Sequence, residues 1–125
     1  MLQTENLKGY KKLKVWEKAN GFVLSVYQTT KSFPREELYG VTSQLRRASL
    51  SVAVNIVEGH ASTSTKDFLN FLNISNKSLV ESEYLLEVAR ALDYLTEQDY
   101  KNLESLRKEV SIILFAFTRS IKSLL

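Results

Sequence analysis

The sequence predicts an all-α fold, an up-down-up-down antiparallel four-helix bundle. Two observations carry this reading. Apolar residues recur at spacings of three and four through four long segments, and the breaks between those segments are short. No stretch alternates with a period of two for long enough to argue a strand, and one proline with four glycines in 125 residues is too few for a sandwich built on tight turns.

The first helix is expected over about Leu13 to Ser32, with Val15, Trp16, Ala19, Phe22, Val23, Val26 and Tyr27 on its apolar face. Pro34 ends it, because the residue before a proline is pushed out of helical geometry. Gly21 in its middle reads either as a mild cost or as a point of close approach by a neighbour. The second helix is expected over about Leu38 to His60. One stripe runs Leu38, Val41, Leu45, Ala48, Val52, Ile56, Gly59, and another Leu50, Val54, Val57, so the helix is to be covered on more than one side. A single four-helix core needs one covered side, which leaves the other for a further subunit.

Ala61 to Thr65 reads as a turn, and Ser64 with Asp67 as a capping box for a third helix to about Tyr94. Its stripe is Phe68, Leu72, Ser75, Leu79, Ser82, Leu86 and Ala89, whose small members permit close packing. A parallel row carries Phe71, Ile74, Leu85, Val88, Leu92 and Leu95. Thr96 with Asp99 is a second capping box, opening a fourth helix to about Ser123. Leu103, Leu106, Val110, Ile113, Phe117, Ile121 and Leu124 lie on one face of it. Residues 1–9 show no periodicity and are expected to be a flexible segment ahead of a bundle spanning 10–125.

Composition narrows function mainly by exclusion. Without cysteine there is no disulfide framework, thiol nucleophile or thiolate metal site. No apolar run reaches the roughly 20 residues that span a bilayer, and the polar amino-terminal stretch does not resemble a signal peptide, so the expected address is the cytoplasm. His60 is the only histidine; it reads as a helix-end residue interacting with terminal carbonyls, not as a metal ligand or general base. No Glu-x-x-His pair, nucleophile elbow or phosphate-cradling glycine loop occurs, so neither enzymatic activity nor a cofactor is expected. Glu81, Glu83 and Glu87 read as surface charge, or as partners for Arg46 or Arg47.

The net charge of +3 is unevenly placed, with Lys8, Lys11, Lys12, Lys14 and Lys18 near the start and Arg46–Arg47 beyond. These lysines read as a solvated face, or as a contact for nucleic acid or an acidic partner. Within the apolar second helix, Arg47, Ser51, Asn55 and Glu58 fall on roughly one side. They read as interior wiring that fixes register, or as a polar surface that an assembly turns toward a ligand.

Several short motifs occur in order: Leu13-Lys14-Val15-Trp16 with Lys18-Ala19; Val26-Tyr27; Phe33-Pro34; Glu37-x-Tyr39-Gly40; Gln44-Leu45-Arg46-Arg47-Ala48-Ser49; Asn55-Ile56; Glu58-Gly59; Phe68-x-x-Phe71-Leu72; and Ser78-Leu79-x-Glu81-x-Glu83. Over about residues 10–124 they resemble the four-helix bundle proteins encoded in intervening sequences of bacterial 23S ribosomal RNA genes. Gln44, Arg46, Arg47, Asn55, Glu58 and Gly59 match the signature. The sequence departs from it at Ala53, where the family usually has proline, and at Ala61-Ser62-Thr63, where an arginine commonly follows the Glu-Gly pair.

The resemblance implies a ring-shaped homo-oligomer, a homopentamer in many members. It also implies an RNA or ribonucleoprotein partner met through basic residues, here Lys11, Lys12, Lys14, Lys18, Arg46 and Arg47. A related branch, the accessory variability determinants of diversity-generating retroelements, is similar in fold and binds a reverse transcriptase and nucleic acid. The double apolar stripes of the second and third helices motivate the alternative: a protein scaffold or accessory subunit, for example of a reverse transcriptase, without direct nucleic-acid contact.

Overall fold

The computed structural model describes residues 9–125. The expectation of a flexible amino-terminal segment falls, except for Gly9, outside the described residues. Gly9, at φ 62°, opens a 3-10 turn over Gly9–Lys12. Four helices follow: α1 (Lys14–Thr30), α2 (Val41–Ala61), α3 (Thr65–Ala91) and α4 (Glu97–Lys122), with a 3-10 turn at Arg35–Glu37 between α1 and α2. No strand occurs among the described residues.

The boundaries differ from the sequence reading where a backbone device intervenes. Helix α2 begins three residues later than expected, because Gly40 (φ −113°, ψ −118°) breaks the path from the preceding turn. Helix α3 stops at Ala91, short of Tyr94, in a Schellman motif: Tyr94 N–H donates to Ala89 O at 2.9 Å and Asp93 N–H to Arg90 O at 3.0 Å. Asp93 takes the left-handed position of that motif, φ 61°, which aspartate tolerates better than most residues. Both expected caps form on one arm: Asp67 N–H donates to Ser64 Oγ at 3.1 Å and Asp99 N–H to Thr96 Oγ1 at 3.0 Å. The return arm belongs to Glu or Gln in a full box, and aspartate is one methylene shorter.

Hydrogen bonds and ion pairs set the antiparallel order. Arg46 of α2 reaches Thr30 at the end of α1, Ser51 of α2 meets Ser78 of α3, and Arg107 of α4 meets Glu83 of α3. Lys18 of α1 meets Glu109 of α4, which closes the four-membered arrangement. The core runs its full length: Val15, Ala19, Phe22 and Val26 from α1; Leu45, Val52 and Ile56 from α2; Leu72, Leu79 and Leu86 from α3; Leu103, Val110 and Leu114 from α4.

The tightest pairing is α2 against α3, and small residues make it possible. Ser75, Ser82 and Ala89 are fully buried, and Ser75 Oγ donates to the α2 carbonyl of Val52 at 2.8 Å. A Cβ on Gly59 would lie 2.7 Å from Phe68 Cδ1 and 3.1 Å from Phe71 Cβ, so the helices touch there at glycine. Gly21 has open space around it and is no such crossing.

The deepest stripe of α4 is turned relative to the expected one. Leu103, Arg107, Val110 and Leu114 are buried; Leu106, Ile113, Phe117 and Ile121 are half-buried, and Leu124 is exposed. Arg107 is 7% exposed. Its guanidinium pairs with Glu104 at 2.6 Å and with Glu83 at 3.2 Å, so Glu83 serves Arg107 and neither Arg46 nor Arg47. The hydrogen bond from Glu104, with the charge of both carboxylates, holds Arg107 above its ordinary pKa against the opposing effect of burial.

Two outcomes follow. Gly59→Ala gains about 1 kcal/mol of helix propensity but loses more by overpacking against Phe68 and Phe71, so chemical denaturation reports net destabilisation on the order of 1 kcal/mol. Arg107→Met strands Glu104 and costs on the order of 2–3 kcal/mol, below the full penalty of a broken buried pair because Glu83 is half in solvent. Arg107→Met combined with Glu104→Leu recovers most of that loss in the same measurement.

Candidate functional site

The antiparallel order decides which charged side chains can act together. Lys14 opens α1 and Thr30 closes it, so roughly 24 Å of helix lies between them. Lys11, Lys12 and Lys14 therefore sit at one end of the bundle, while Arg46, bonded to Thr30, and its neighbour Arg47 lie toward the other. The six basic residues singled out from the sequence are not one patch.

At the first end, Lys11, Lys12 and Lys14 are exposed, and the chain's return brings others beside them. Lys66 stands in the first turn of α3, and Arg119 and Lys122 in the last turns of α4, where Phe68 meets Phe117 edge-on at 5.6 Å. All three are exposed, and none of these six cations takes part in an ion pair among the described residues. Lys66, Arg119 and Lys122 were not singled out from the sequence, because they become neighbours of the amino-terminal lysines only once α3 and α4 are folded back. The connection lengths and helix directions were the available signal. Tyr10 packs edge-on against Trp16 at 5.1 Å, which fixes the turn carrying Lys11 and Lys12. Lys18 lies one turn further in, half-buried, with Nζ 3.4 Å from Glu109.

His60 is at this end too. Its ring stands edge-on to Phe68 at 6.5 Å and makes no side-chain hydrogen bond among the described residues. The expected contact with terminal carbonyls is absent because Ser62 takes the Gly59 carbonyl, donating from both Oγ (2.6 Å) and N–H (3.1 Å).

The signature residues of α2 divide by depth. Asn55 is 8% exposed and donates to Ser51 O at 2.8 Å and Ser51 Oγ at 3.0 Å. Ser51 Oγ lies 2.7 Å from Ser78 Oγ, so the wiring crosses from α2 to α3. Gly59 is the close crossing already described, whereas the side chains of Gln44, Arg47 and Glu58 are exposed and make no hydrogen bond or ion pair among the described residues. Leu50, Val54 and Ile74, on the outward side of this pair, are each more than 40% exposed. Ile112 and Phe115 on α4 are about 70% exposed.

At the second end, Arg46 is half-buried. Nε donates to Thr30 Oγ1 at 2.8 Å, and the guanidinium carbon sits 5.0 Å from the centre of the Tyr27 ring. Nearby, Tyr94 O–H donates to Glu37 Oε2 at 2.6 Å and Val41 N–H to Glu37 Oε1 at 3.2 Å. These two bonds, the Tyr94 one first, hold the Glu37 carboxyl below its usual range, while the same carboxylate holds the Tyr94 phenol above its own. Among the described residues no group of three His, Cys, Asp or Glu could hold a metal ion, and no helix is long and apolar enough to cross a membrane.

Comparison with known proteins agrees with this geometry. No curated protein matches the sequence. Among solved structures, one from Bacteroides thetaiotaomicron superposes with a TM-score of 0.78 at 27% identity, over 84% of this chain and 95% of that one. That protein is described as being of unknown function and from the S23 ribosomal protein family. The model of the 23S rRNA-intervening sequence protein family matches residues 11–116. With the four-helix architecture and the signature residues in their places along α2, the chain belongs to the 23S rRNA-intervening sequence protein family.

Proposed function

We propose that this chain is a non-enzymatic RNA-binding bundle that works as a homo-oligomer. The end carrying Lys11, Lys12, Lys14, Lys66, Arg119 and Lys122 is the surface that meets the phosphate backbone. The observation behind the reading is the composition of that end. Six exposed cations from four segments stand at that end without an ion pair among the described residues, against Glu17, Glu58 and Asp67 as the exposed acids of the adjoining helix turns. A surface of this kind attracts polyanions by releasing their counterions and requires no base-specific groups. The family's name ties its genes to 23S ribosomal RNA, which makes structured RNA the natural polyanion. Repetition of the surface around an oligomer multiplies the phosphate contacts of a subunit whose own net charge is only +3. Lys18 is occupied by Glu109, and Arg46 and Arg47 lie at the far end, so none of the three belongs to the proposed surface.

A second reading, a protein-interaction scaffold, is favoured by a different observation. Leu50, Val54 and Ile74 are exposed within a turn of the Ser51–Ser78 hydrogen bond, a polar link next to apolar surface of the sort that self-assembly covers. The two readings share the homo-oligomer and differ in whether RNA is touched.

In electrophoretic shifts with a structured ribosomal RNA fragment, binding is expected at low salt. Its logarithm should fall linearly with the logarithm of salt concentration, by about 0.7–0.9 per phosphate contact. Changing Lys11, Lys14 and Lys122 together to glutamine should flatten that slope by about two units or more, while Arg47→Glu leaves it alone. No retarded RNA at low salt would remove the RNA reading and leave the scaffold. Native mass spectrometry at micromolar concentration is expected to give a single oligomer, and a monomer there would overturn self-association in both readings.

A further inference from the structure

A pocket of 140 Å³ opens where α1 ends and α2 begins, at the end of the bundle away from the amino-terminal lysines. It is lined by Thr30, Lys31, Phe33, Pro34, Arg35, Leu38, Thr42 and Arg46, three cations and no carboxylate. Its volume has room for several water-sized groups, enough for a tetrahedral oxyanion. Three features argue that it is built to hold one.

The first is the guanidinium of Arg46. Its Nε is engaged by Thr30 Oγ1 and one face lies over Tyr27, so the group is held from two sides. Its two Nη nitrogens have no partner among the described residues and remain as a fixed fork of donors, the geometry that matches phosphate oxygens. Thr30 Oγ1 is itself anchored, donating to Val26 O at 2.8 Å, so the arginine is braced by a group that does not rotate freely.

The second is Thr42. The residue is 3% exposed, and its Oγ1 is the one buried side-chain polar atom among the described residues that has no hydrogen-bond partner. Buried hydroxyls are ordinarily satisfied. Thr42 is the second residue of α2, so no helical carbonyl lies four residues earlier to receive its proton, and it lines the pocket beside Arg46.

The third is the charge around the rim. Among the described residues Arg35 makes no ion pair and is exposed, and the Lys31 side chain is tied only to the neutral amide of Gln28 at 3.3 Å. Glu36 and Glu37 follow Arg35 in the same turn; Glu36 is exposed, Glu37 is bonded to Tyr94 and Val41, and neither lines the pocket.

We propose that this pocket binds a single phosphate group, gripped by the Arg46 fork with Arg35 and Lys31, and that Thr42 Oγ1 donates the hydrogen bond it otherwise leaves unmade. The site is independent of RNA contact at the opposite end and stands or falls separately from it. The phosphate can come from two sources, a free inorganic ion or the 5′-terminal phosphate of an RNA strand, and the chemistry recognised is the same.

The test titrates the full chain, labelled with nitrogen-15, with inorganic phosphate at constant ionic strength, using chloride as the control. Saturable shifts are expected at the backbone amides of Thr42 and Ser43 and at Arg46 Nε, and chloride should not reproduce them. Thr42→Val keeps the branched shape and removes the donor. It should weaken phosphate binding about tenfold or more, the usual size of a lost hydrogen bond to a charged group, while the phosphate-free protein melts no earlier than the parent. Arg35→Gln, on an exposed turn, supplies a second variant with a loss of similar size and carries the test if Thr42→Val fails to fold. Parallel titrations with a short oligoribonucleotide bearing a 5′-phosphate or a 5′-hydroxyl separate the sources. A preference for the phosphorylated strand that Thr42→Val abolishes assigns the pocket to strand ends, and equal binding of the two strands assigns it to the free ion. The absence of saturable shifts with every phosphate probe overturns the proposal, as does saturation that neither variant weakens.

Discussion

The close approach of α2 and α3 is the constraint on which the rest of the structure depends. Backbones come this near only where side chains vanish, and the sequence supplies Gly59 on one helix and Ser75, Ser82 and Ala89 on the other. Short side chains bury little apolar area of their own, so this seam gains from dispersion and from hydrogen bonds made at short range. Serine is suited to that role because its hydroxyl is satisfied locally: Ser82 Oγ donates to Ser78 O at 2.9 Å, and Ser75 Oγ reaches across to Val52 O. Once α2 and α3 are locked in this register, α1 and α4 pack over the larger residues on their remaining inner faces. The two ends of the bundle are then determined.

Much of this was legible beforehand, for a physical reason. Helical periodicity reports which residues avoid water, and the stripes Leu45–Val52–Ile56 and Leu72–Leu79–Leu86 are buried as their spacing requires. The reading erred where a long amphipathic side chain imitates a polar one. Arg107 counts as charged in any pattern, yet its stem lies in the core stripe of α4 and its head is neutralised by Glu104 and Glu83. It erred again at helix ends. The backbone of Gly40 and the left-handed Asp93 decide the boundaries there, and neither leaves a periodic trace.

The candidate surfaces were less legible than the core, because proximity in a bundle depends on helix direction and not on sequence distance. Lys18 and Glu109 meet although 91 positions separate them, while Lys14 and Arg46, much nearer in sequence, belong to opposite ends. Charge counting along the chain therefore merged two unlike groups. One is the group of solvated amino-terminal lysines, Lys11, Lys12 and Lys14; the other is a pair of arginines in quite different surroundings, Arg46 braced and half-buried and Arg47 exposed to solvent. Exposed Arg47 has no geometry to offer beyond its charge, whereas Arg46 has lost rotational freedom to Thr30 and Tyr27 before any ligand arrives.

That difference bears on how the two ends of the bundle would discriminate among anions. Mobile surface lysines neutralise phosphates wherever these fall, and their contribution weakens with salt as counterions compete. A guanidinium held on one nitrogen and one face, next to a dry hydroxyl, recognises the shape of an anion as well as its charge and is screened less, because solvent is partly excluded. On the proposed readings, placing the diffuse group and the shaped group at opposite ends would let each respond to its own anion without competing for it. The rigid α2–α3 seam between them keeps that separation fixed.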